Sequence, residues 1–486
     1  MGGAGQIRQR VAIETLPYEA LLEIFSFYLD QSEREEAWFT LAHVCRRWRC
    51  VVIASSCRLN LRLICKRYRP VMEMLDVWPS LPIAISENYL KAFCRGNVDN
   101  IVAALERNNQ IYKIDFKNVP SSLLETYVAM MQVSFPALTS LELWSRDETV
   151  SVPPNSFLGG SAPCLRSLEM NGILFPALPN LLLTTTDLVD LSLWRIPHSG
   201  YISPMAMVTC LSSLSRLESL LLGFSSPQSR PDILRRGPHL LTRKILPALT
   251  ELYFEGVSEY LEDLVARIDT PRLNDVHIIF FNQLNFHIPQ FCQFLSRAGQ
   301  SEALKQANVD FDSSCVEVSL SPSTSRIDEE RGLSLQVSCS GLDWQLSSVA
   351  QICCSSLFHL SALEHLYIRQ TIPSRLQVQV DVENSQWLEL LNPFATVTNL
   401  YLSEQITPLV VSALQELAGE RVAEVLPTLQ NIFLRGQPRP VQKAIERFIA
   451  ARQLFGHPVA VHHIGEEDAG KGVPCLATLC FGDPDA

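Results

Sequence analysis

The chain has 486 residues, 47% hydrophobic and 19% charged, with a formal net charge of −11. That length exceeds one compact core and predicts at least two domains or an elongated repeat array, and that composition folds rather than staying disordered. The acidic balance, 40 Lys and Arg against 51 Asp and Glu, argues against nucleic acid as the main partner, because phosphate binding needs a basic face. The chain opens Met1-Gly2-Gly3-Ala4-Gly5-Gln6. This stretch lacks the apolar core of a signal peptide, and Gln6 stands where a myristoylation signal wants Ser or Thr. Residues 1–11 are expected to be a flexible N-terminus. No run of about 18 uncharged apolar residues occurs, so neither a spanning helix nor a membrane partner is expected. The 14 cysteines include no C-x-x-C pair. Reduced, mostly buried thiols in a cytoplasmic or nuclear protein are expected.

Residues 12–58 stand apart from the rest. Leu16-Pro17 opens a helical pattern, since proline suits a first turn whose N–H would be unpaired anyway. Glu19 adds negative charge near the positive end of the helix dipole. Leu21, Ile24, Phe25, Tyr28 and Leu29 recur at helical spacing, and Asp30 to Glu36 is a polar break. A second helix is predicted with Trp38, Leu41, Ala42, Cys45, Trp48 and Val52 on one side. Arg46, Arg47 and Arg49 fall on the other, as a solvated face. So few short helices cannot hide all these aromatics alone, and the surplus must meet a partner or the rest of the chain.

The string Leu16-Pro17-x-x-x-Leu21-Leu22-x-Ile24-Phe25, followed by Leu41-Ala42-x-Val44-Cys45-Arg46-Arg47-Trp48, resembles the F-box. With the leucine-rich region behind it, the chain looks like the F-box proteins common in mushroom-forming fungi. The resemblance implies binding to a SKP-family adaptor and, through it, to cullin and RING subunits of a ubiquitin ligase. It implies that Leu16, Pro17, Leu21, Ile24, Phe25, Leu29, Leu41, Val44, Cys45 and Trp48 pack the F-box or meet that adaptor. The residues alone do not sort these two roles.

Residues 59–109 are expected to be a helical linker and a first degenerate repeat. From residue 110 to 455 an L-x-x-L-x-L pattern, with apolar substitutions, recurs. Its copies are Ile111-Ile114-Phe116, Leu138-Leu141-Leu143, Leu165-Leu168-Met170, Leu188-Leu191-Leu193, Leu217-Leu220-Leu222, Leu249-Leu252-Phe254 and Leu273-Val276-Ile278. A weaker copy is Leu304-Ala307-Val309, and three more are Leu363-Leu366-Ile368, Val397-Leu400-Leu402 and Leu429-Ile432-Leu434. Successive starts from 111 to 273 lie 27, 27, 23, 29, 32 and 24 residues apart, long and uneven for such repeats. Leu333, Leu335 and Val337 fit a degenerate copy, and the array is expected to be irregular or broken near 310–345.

Many copies follow a proline, as in Phe135-Pro136-Ala137-Leu138 and Leu426-Pro427-Thr428-Leu429, which fixes the strand entry and stops the preceding helix. Period two within each copy predicts a strand, and the stretches between read as helices. The predicted fold is α/β: a small N-terminal helical F-box, then an irregular leucine-rich-repeat solenoid with a parallel sheet inside and helices outside. Regular repeats place Asn or Cys two residues beyond the seventh position. Here those sites hold Arg146, Ile173, Ile196, Ser225, Val257 and Phe281, which predicts uneven curvature. Residues 456–486 are expected to be a C-terminal tail.

Positions four and six should face the core, and three, five and seven outward. The outward set carries Trp144, Trp194, Tyr253, Tyr367, Tyr401 and Phe433 beside polar residues, a composition typical of protein recognition surfaces. Glu142, Glu169, Asp190, Glu251, Glu255 and Asp275 give the first half an acidic tint, so a basic segment of a protein target is expected there. The alternative is that these rings pack against one another along the sheet.

No phosphate-cradling loop, G-x-G-x-x-G or nucleophile elbow is present in the sequence. His462-His463 with Cys475 and Cys480 fits no regular zinc spacing. No catalytic residue, metal or cofactor is therefore expected, and the chain reads as a non-enzymatic adaptor. The alternative function is an interaction scaffold whose F-box does not lead to ubiquitination.

Overall fold

The computed structural model describes residues 16–31, 37–66, 74, 81–88, 98–146, 153–231, 242–298, 304–322, 332–354, 360–370, 382–417, 419–435 and 439–464. The chain divides into two compact units, Met1–Asp190 and Leu191–Ala486.

Unit 1 begins with three helices, α1 (Tyr18–Asp30), α2 (Trp38–Val44) and α3 (Arg46–Ala54). The predicted second helix is thus two. At Cys45 the backbone is extended, with φ −158° and ψ 169°, and the Cys45 sulfur accepts the Trp48 N–H at 3.4 Å. The thiol acts as an N-cap, so one apolar stripe is split between two helix axes. Leu21, Leu22, Phe25, Trp38, Leu41 and Val52 form the core, with the Phe25 and Trp48 rings 4.8 Å apart. Arg46, Arg47 and Arg49 are exposed, as expected of a solvated face, and two of them also tether the helices. Arg49 Nε donates to the Ala42 carbonyl at 3.0 Å, and Arg47 donates to the carbonyl of Leu16. Trp38 Nε1 donates to the Arg62 carbonyl at 3.0 Å, which anchors the helices to the residue that leads into the first strand.

The sheet starts earlier than the repeat pattern. Within 59–109, expected as linker and degenerate repeat, lie β1 (Leu63–Cys65), β2 (Ile83–Asn88) and α4 (Val98–Leu105). Then come β3 (Ile111–Val119), α5 (Ser121–Met130), β4 (Ser140–Ser145), β5 (Ser167–Asn171) and α6 (Leu178–Leu182). Strands β1 to β5 pair in sequence order, all parallel.

The two units divide at the first residue of β6 (Asp190–Ile196). Unit 2 continues with α7 (Pro204–Leu211), β7 (Ser219–Phe224), β8 (Lys244–Ile245), β9 (Glu251–Gly256), α8 (Ser258–Val265), β10 (Ile268–Asp269), β11 (Asp275–Phe281) and α9 (Pro289–Arg297). It goes on through β12 (Gln306–Phe311), β13 (Cys315–Ser321), β14 (Gly332–Ser338), α10 (Leu342–Cys354), β15 (His365–Gln370) and α11 (Asn384–Leu391). The last elements are β16 (Asn399–Leu402), α12 (Thr407–Gln415), β17 (Asn431–Arg435), α13 (Arg439–Leu454) and β18 (Ala460–Ile464). Strand order in this unit is β6-β7-β9-β11-β14-β13-β12-β15-β16-β17-β18, while β8 and β10 form a separate pair.

Near 310–345 the array is reordered rather than broken. β13 runs antiparallel between β14 and β12, while β14 pairs parallel with β11 and β12 with β15. The expected tail contributes β18, parallel to β17. Apart from β13, the described pairs of the main sheet are parallel, and helices connect most of them.

Leucine spacing builds the core. The first-, fourth- and sixth-position side chains of every strong copy are buried, each stabilising by about 1.5–3 kcal/mol. The first-position amide closes a tight turn, as Leu138 N–H to Phe135 O at 3.2 Å and Leu429 N–H to Leu426 O at 3.1 Å. Pro136 and Pro427 therefore occupy the second position of a β-turn, where their fixed φ is an advantage. In place of an Asn or Cys ladder, second-position threonines reach back one strand. Thr139, Thr250 and Thr398 hydroxyls donate to the carbonyls of Tyr112, Glu218 and Glu364 at 2.9–3.1 Å.

Candidate functional site

The helices of residues 16–57 carry two apolar faces. One is the core just described, and it claims Leu21, Phe25 and Leu41. Those three, counted among the adaptor-contacting candidates, are sealed from solvent and shape the face rather than form it. The other face is a stripe on α1 at helical spacing: Ile24, 42% exposed, Phe27, 68%, and Tyr28. Val44, 55% exposed, and Ile53 also stand out to solvent, on α2 and α3. Pro17 is exposed, while Leu16, Leu29, Cys45 and Trp48 are half-buried. An apolar stripe on both sides of a short helix is a surface that water disfavours and a partner removes. Phe27 and Ile53 lie outside the F-box-like string. Phe27's place at i+3 from Ile24 was the sequence signal available.

On the outward sheet face of unit 1, the acidic tint is met by lysines from the chain itself. Lys117 Nζ lies 2.6 Å from Glu142 and 3.7 Å from Asp115, and it sits 5.3 Å from the Trp144 ring centre. Lys113 approaches Glu142 at 3.5 Å. Burial, and next the Glu142 charge, raise the Asp115 and Glu169 carboxyls above their ordinary range, while Lys117 pulls them back. Trp144 is thus already occupied by an internal cation.

In unit 2 the outward aromatics fall into two groups. Tyr367, Tyr401, Phe433 and His462 occupy one level on successive strands β15 to β18, stacked at 4.1, 4.4 and 4.8 Å. Beside them Asn431 Nδ2 donates to Asn399 Oδ1 at 2.9 Å, and His462 Nε2 lies 3.2 Å from Asn431 Oδ1. Arg369 grips Asp310 with two bonds of 2.8 Å. Tyr367, Tyr401 and Phe433 are half-buried and His462 is exposed, and the rings pack along the sheet against one another.

The second group is Trp194 and Tyr253, edge to face at 4.9 Å, with His277 6.2 Å beyond Tyr253. The intervening strand is kept low by Gly223. A Cβ there would lie 2.5 Å from the indole and 3.5 Å from Glu255 Oε2. Glycine lets the indole cross β7 and meet Tyr253. Burial raises the Glu255 carboxyl, with Arg195 opposing.

Chemistry elsewhere is thin. A cavity of about 380 Å³ adjoins Ser258, Glu259, Glu262 and His287. Glu262 is engaged there as the cap of α9, accepting the Gln290 and Phe291 amides at 3.0 and 2.8 Å. Burial pushes the thiols of Cys65, Cys292 and Cys353 up to about 12, which makes them poor nucleophiles. Among the described residues no group of three His, Cys, Asp or Glu could hold a metal, and no helix is long and apolar enough to cross a membrane. Cys475 and Cys480 lie outside the described residues.

Residues 13–57 match the F-box-like family model, and that segment is an F-box-like domain. No curated protein matches the chain. Among the solved structures that match is the leucine-rich repeat-containing protein LegL7 from Legionella pneumophila, at 12% identity and a TM-score of 0.24. It spans 80% of this chain and 97% of that one. The fold assignment stands on the leucine spacing and strand pairing: F-box helices, then a leucine-rich-repeat-like α/β arrangement.

Proposed function

We propose that this chain is the substrate-recognition subunit of an SCF-type ubiquitin ligase. The F-box helices dock a SKP-family adaptor, which links to cullin and RING subunits, and the outward sheet face holds a protein target. The observation that carries the reading is the solvent-facing stripe Ile24, Phe27 and Tyr28 on α1, lying within the F-box-like segment. Such a subunit binds and positions without catalysing, and would work in the cytoplasm or nucleus. The described cysteines are free thiols, which suits a reducing compartment. Kinship with the F-box proteins of mushroom-forming fungi belongs to the same proposal.

The test is co-purification of the full chain with a recombinant SKP-family adaptor, then with cullin and RING subunits. Phe27→Asp with Ile24→Asp should abolish capture while circular dichroism and melting stay unchanged, because neither side chain is in the core. Adaptor capture that survives this double substitution refutes the docking face. Adaptor capture without cullin association favours the scaffold alternative.

A further inference from the structure

We infer that the outward face of β6, β9, β11 and β13 receives lysine or arginine side chains from an extended segment of the target. This rests on the reading that the repeats hold a protein. Three stretches of sheet share rings and carboxylates, and they differ in what neutralises them. In unit 1, Lys117 lies against Trp144, Glu142 and Asp115, so the chain supplies its own cation. On β15 to β18 the rings stack face to face, and Arg369 of β15 takes Asp310 of β12, so the rings cover one another and that carboxylate is paired. The stretch between differs from both.

There Glu251 and Glu255 on β9, Asp275 on β11 and Glu317 on β13 alternate outward. No lysine occurs on β6, β7, β9, β11, β13 or β14. Arg195 and His277 are the cationic side chains on these six strands, and they sit against Glu255 and Asp275. Glu251 is exposed, and Glu317 accepts only the Ser334 hydroxyl at 2.7 Å among the described bonds. The imprint of this charge is visible on His277. Its pKa is raised by the hydrogen bond to Asp275, against burial, and further by Glu317 and Glu251. Trp194 meets Tyr253 edge to face rather than in a stack, while His277 stacks on Tyr253 at 6.2 Å. Of these carboxylates Glu251 and Glu317 make no described ion pair, and uncompensated charge beside an aromatic ring attracts a basic side chain by both charge and quadrupole.

Reach sets the segment length. The six neighbouring strands β6-β7-β9-β11-β14-β13, about 4.8 Å apart, span roughly 24 Å. An extended peptide rising about 3.3 Å per residue covers that with roughly eight residues.

The test uses the full chain and labelled peptides of about eight residues, alternating glycine with lysine, arginine or glutamate, read by fluorescence anisotropy. The lysine and arginine peptides should bind and the glutamate peptide should not, with affinity falling as salt rises. Glu251→Lys with Glu317→Lys should weaken basic-peptide binding by about tenfold or more. Trp194→Ala should weaken it by roughly fivefold or more, whereas Tyr401→Ala should leave it within about twofold. Each variant is first shown to melt like the parent. Equal binding of acidic and basic peptides, no binding of the basic ones, or indifference to the charge reversal overturns the inference. Adaptor capture is measured on the same preparations. Capture without basic-peptide preference removes this inference and leaves the ligase reading; preference without capture does the reverse.

Discussion

Arg452 offers a quantitative test of how the C-terminal strands are held. It lies on α13 with no solvent exposure, and among the described residues no carboxylate pairs with it. Its Nη1 donates to Val422 O at 3.0 Å, and its Nη2 to Leu426 O, Pro427 O and Leu429 O at 3.2, 3.4 and 3.3 Å. Burial lowers the guanidinium pKa, but an arginine stays charged. The loop entering β17 therefore closes around one cation. Replacing it with methionine keeps the bulk and removes the donors. Leu426 O still receives the Leu429 amide at 3.1 Å. The other three carbonyls lose the guanidinium, at about 1 kcal/mol each. Relief of a buried charge offsets part of this, so the expected net loss is about 2–3 kcal/mol. Arg452→Lys, which keeps the charge but not the planar fork, should lose less. A two-state melt of a two-unit protein is ambiguous, so the assay is hydrogen exchange at the amides of Leu429 to Leu434. Protection should drop by roughly 30- to 150-fold. Unchanged exchange in Arg452→Met would refute the claim that the carbonyl cradle carries that stability.

Two further outcomes are expected. Phe25→Ala should unfold the F-box helices, at a cost of about 3–5 kcal/mol for a core aromatic, and so lose adaptor capture together with helical signal. Phe27→Ala should weaken capture with the helical signal intact, and the opposite pattern would reverse the core and face assignments. His277 should make stability pH-dependent. Its folded pKa is raised above the unfolded value of about 6.5, so its contribution is fully present below that value and is lost as pH rises through the folded pKa. The melting difference between the parent and His277→Gln should be positive below about pH 6.5 and shrink as pH rises above it; a difference independent of pH would exclude the coupling.

Much of the architecture was legible because the apolar residues at positions one, four and six obey one rule in every strong copy: they are buried. What escaped obeyed no such rule. β13 alternates as Val316, Val318 and Leu320 but has no leucine three residues ahead of Val316, so the repeat template missed it. It runs backwards, which a template of parallel units cannot express. β1 and β2 precede the first clear copy. The break at Cys45 was hidden because the apolar stripe continues across it, and only a backbone angle reveals the cap. Of the candidate site, the aromatics were readable as outward, but their fate was not. Tyr367, Tyr401 and Phe433 are more than thirty residues apart in sequence, and the parallel register brings them into one column. Gly223 carried no signal until the indole was seen lying over it.

The contrast between the two acidic faces can be turned into an exchange of character. In unit 1 a lysine on the strand beside the carboxylates neutralises them. β14 is the corresponding strand in unit 2, and its half-buried Gln336 sits opposite Glu317 and Ile279 in the register. Gln336→Lys would place an ammonium against Glu317, giving β11 to β13 the internal cation that β3 already has. A cross-strand pair of opposite charge is worth about 0.2–1 kcal/mol, so the variant should be slightly more stable than the parent. If the face is reserved for a basic segment, the same change should reduce basic-peptide affinity by about fivefold or more through local neutralisation and repulsion. Stability and binding would then move in opposite directions, which damage to the fold does not produce. Increased stability with undiminished peptide affinity would mean that the carboxylates of this face play no part in recognition.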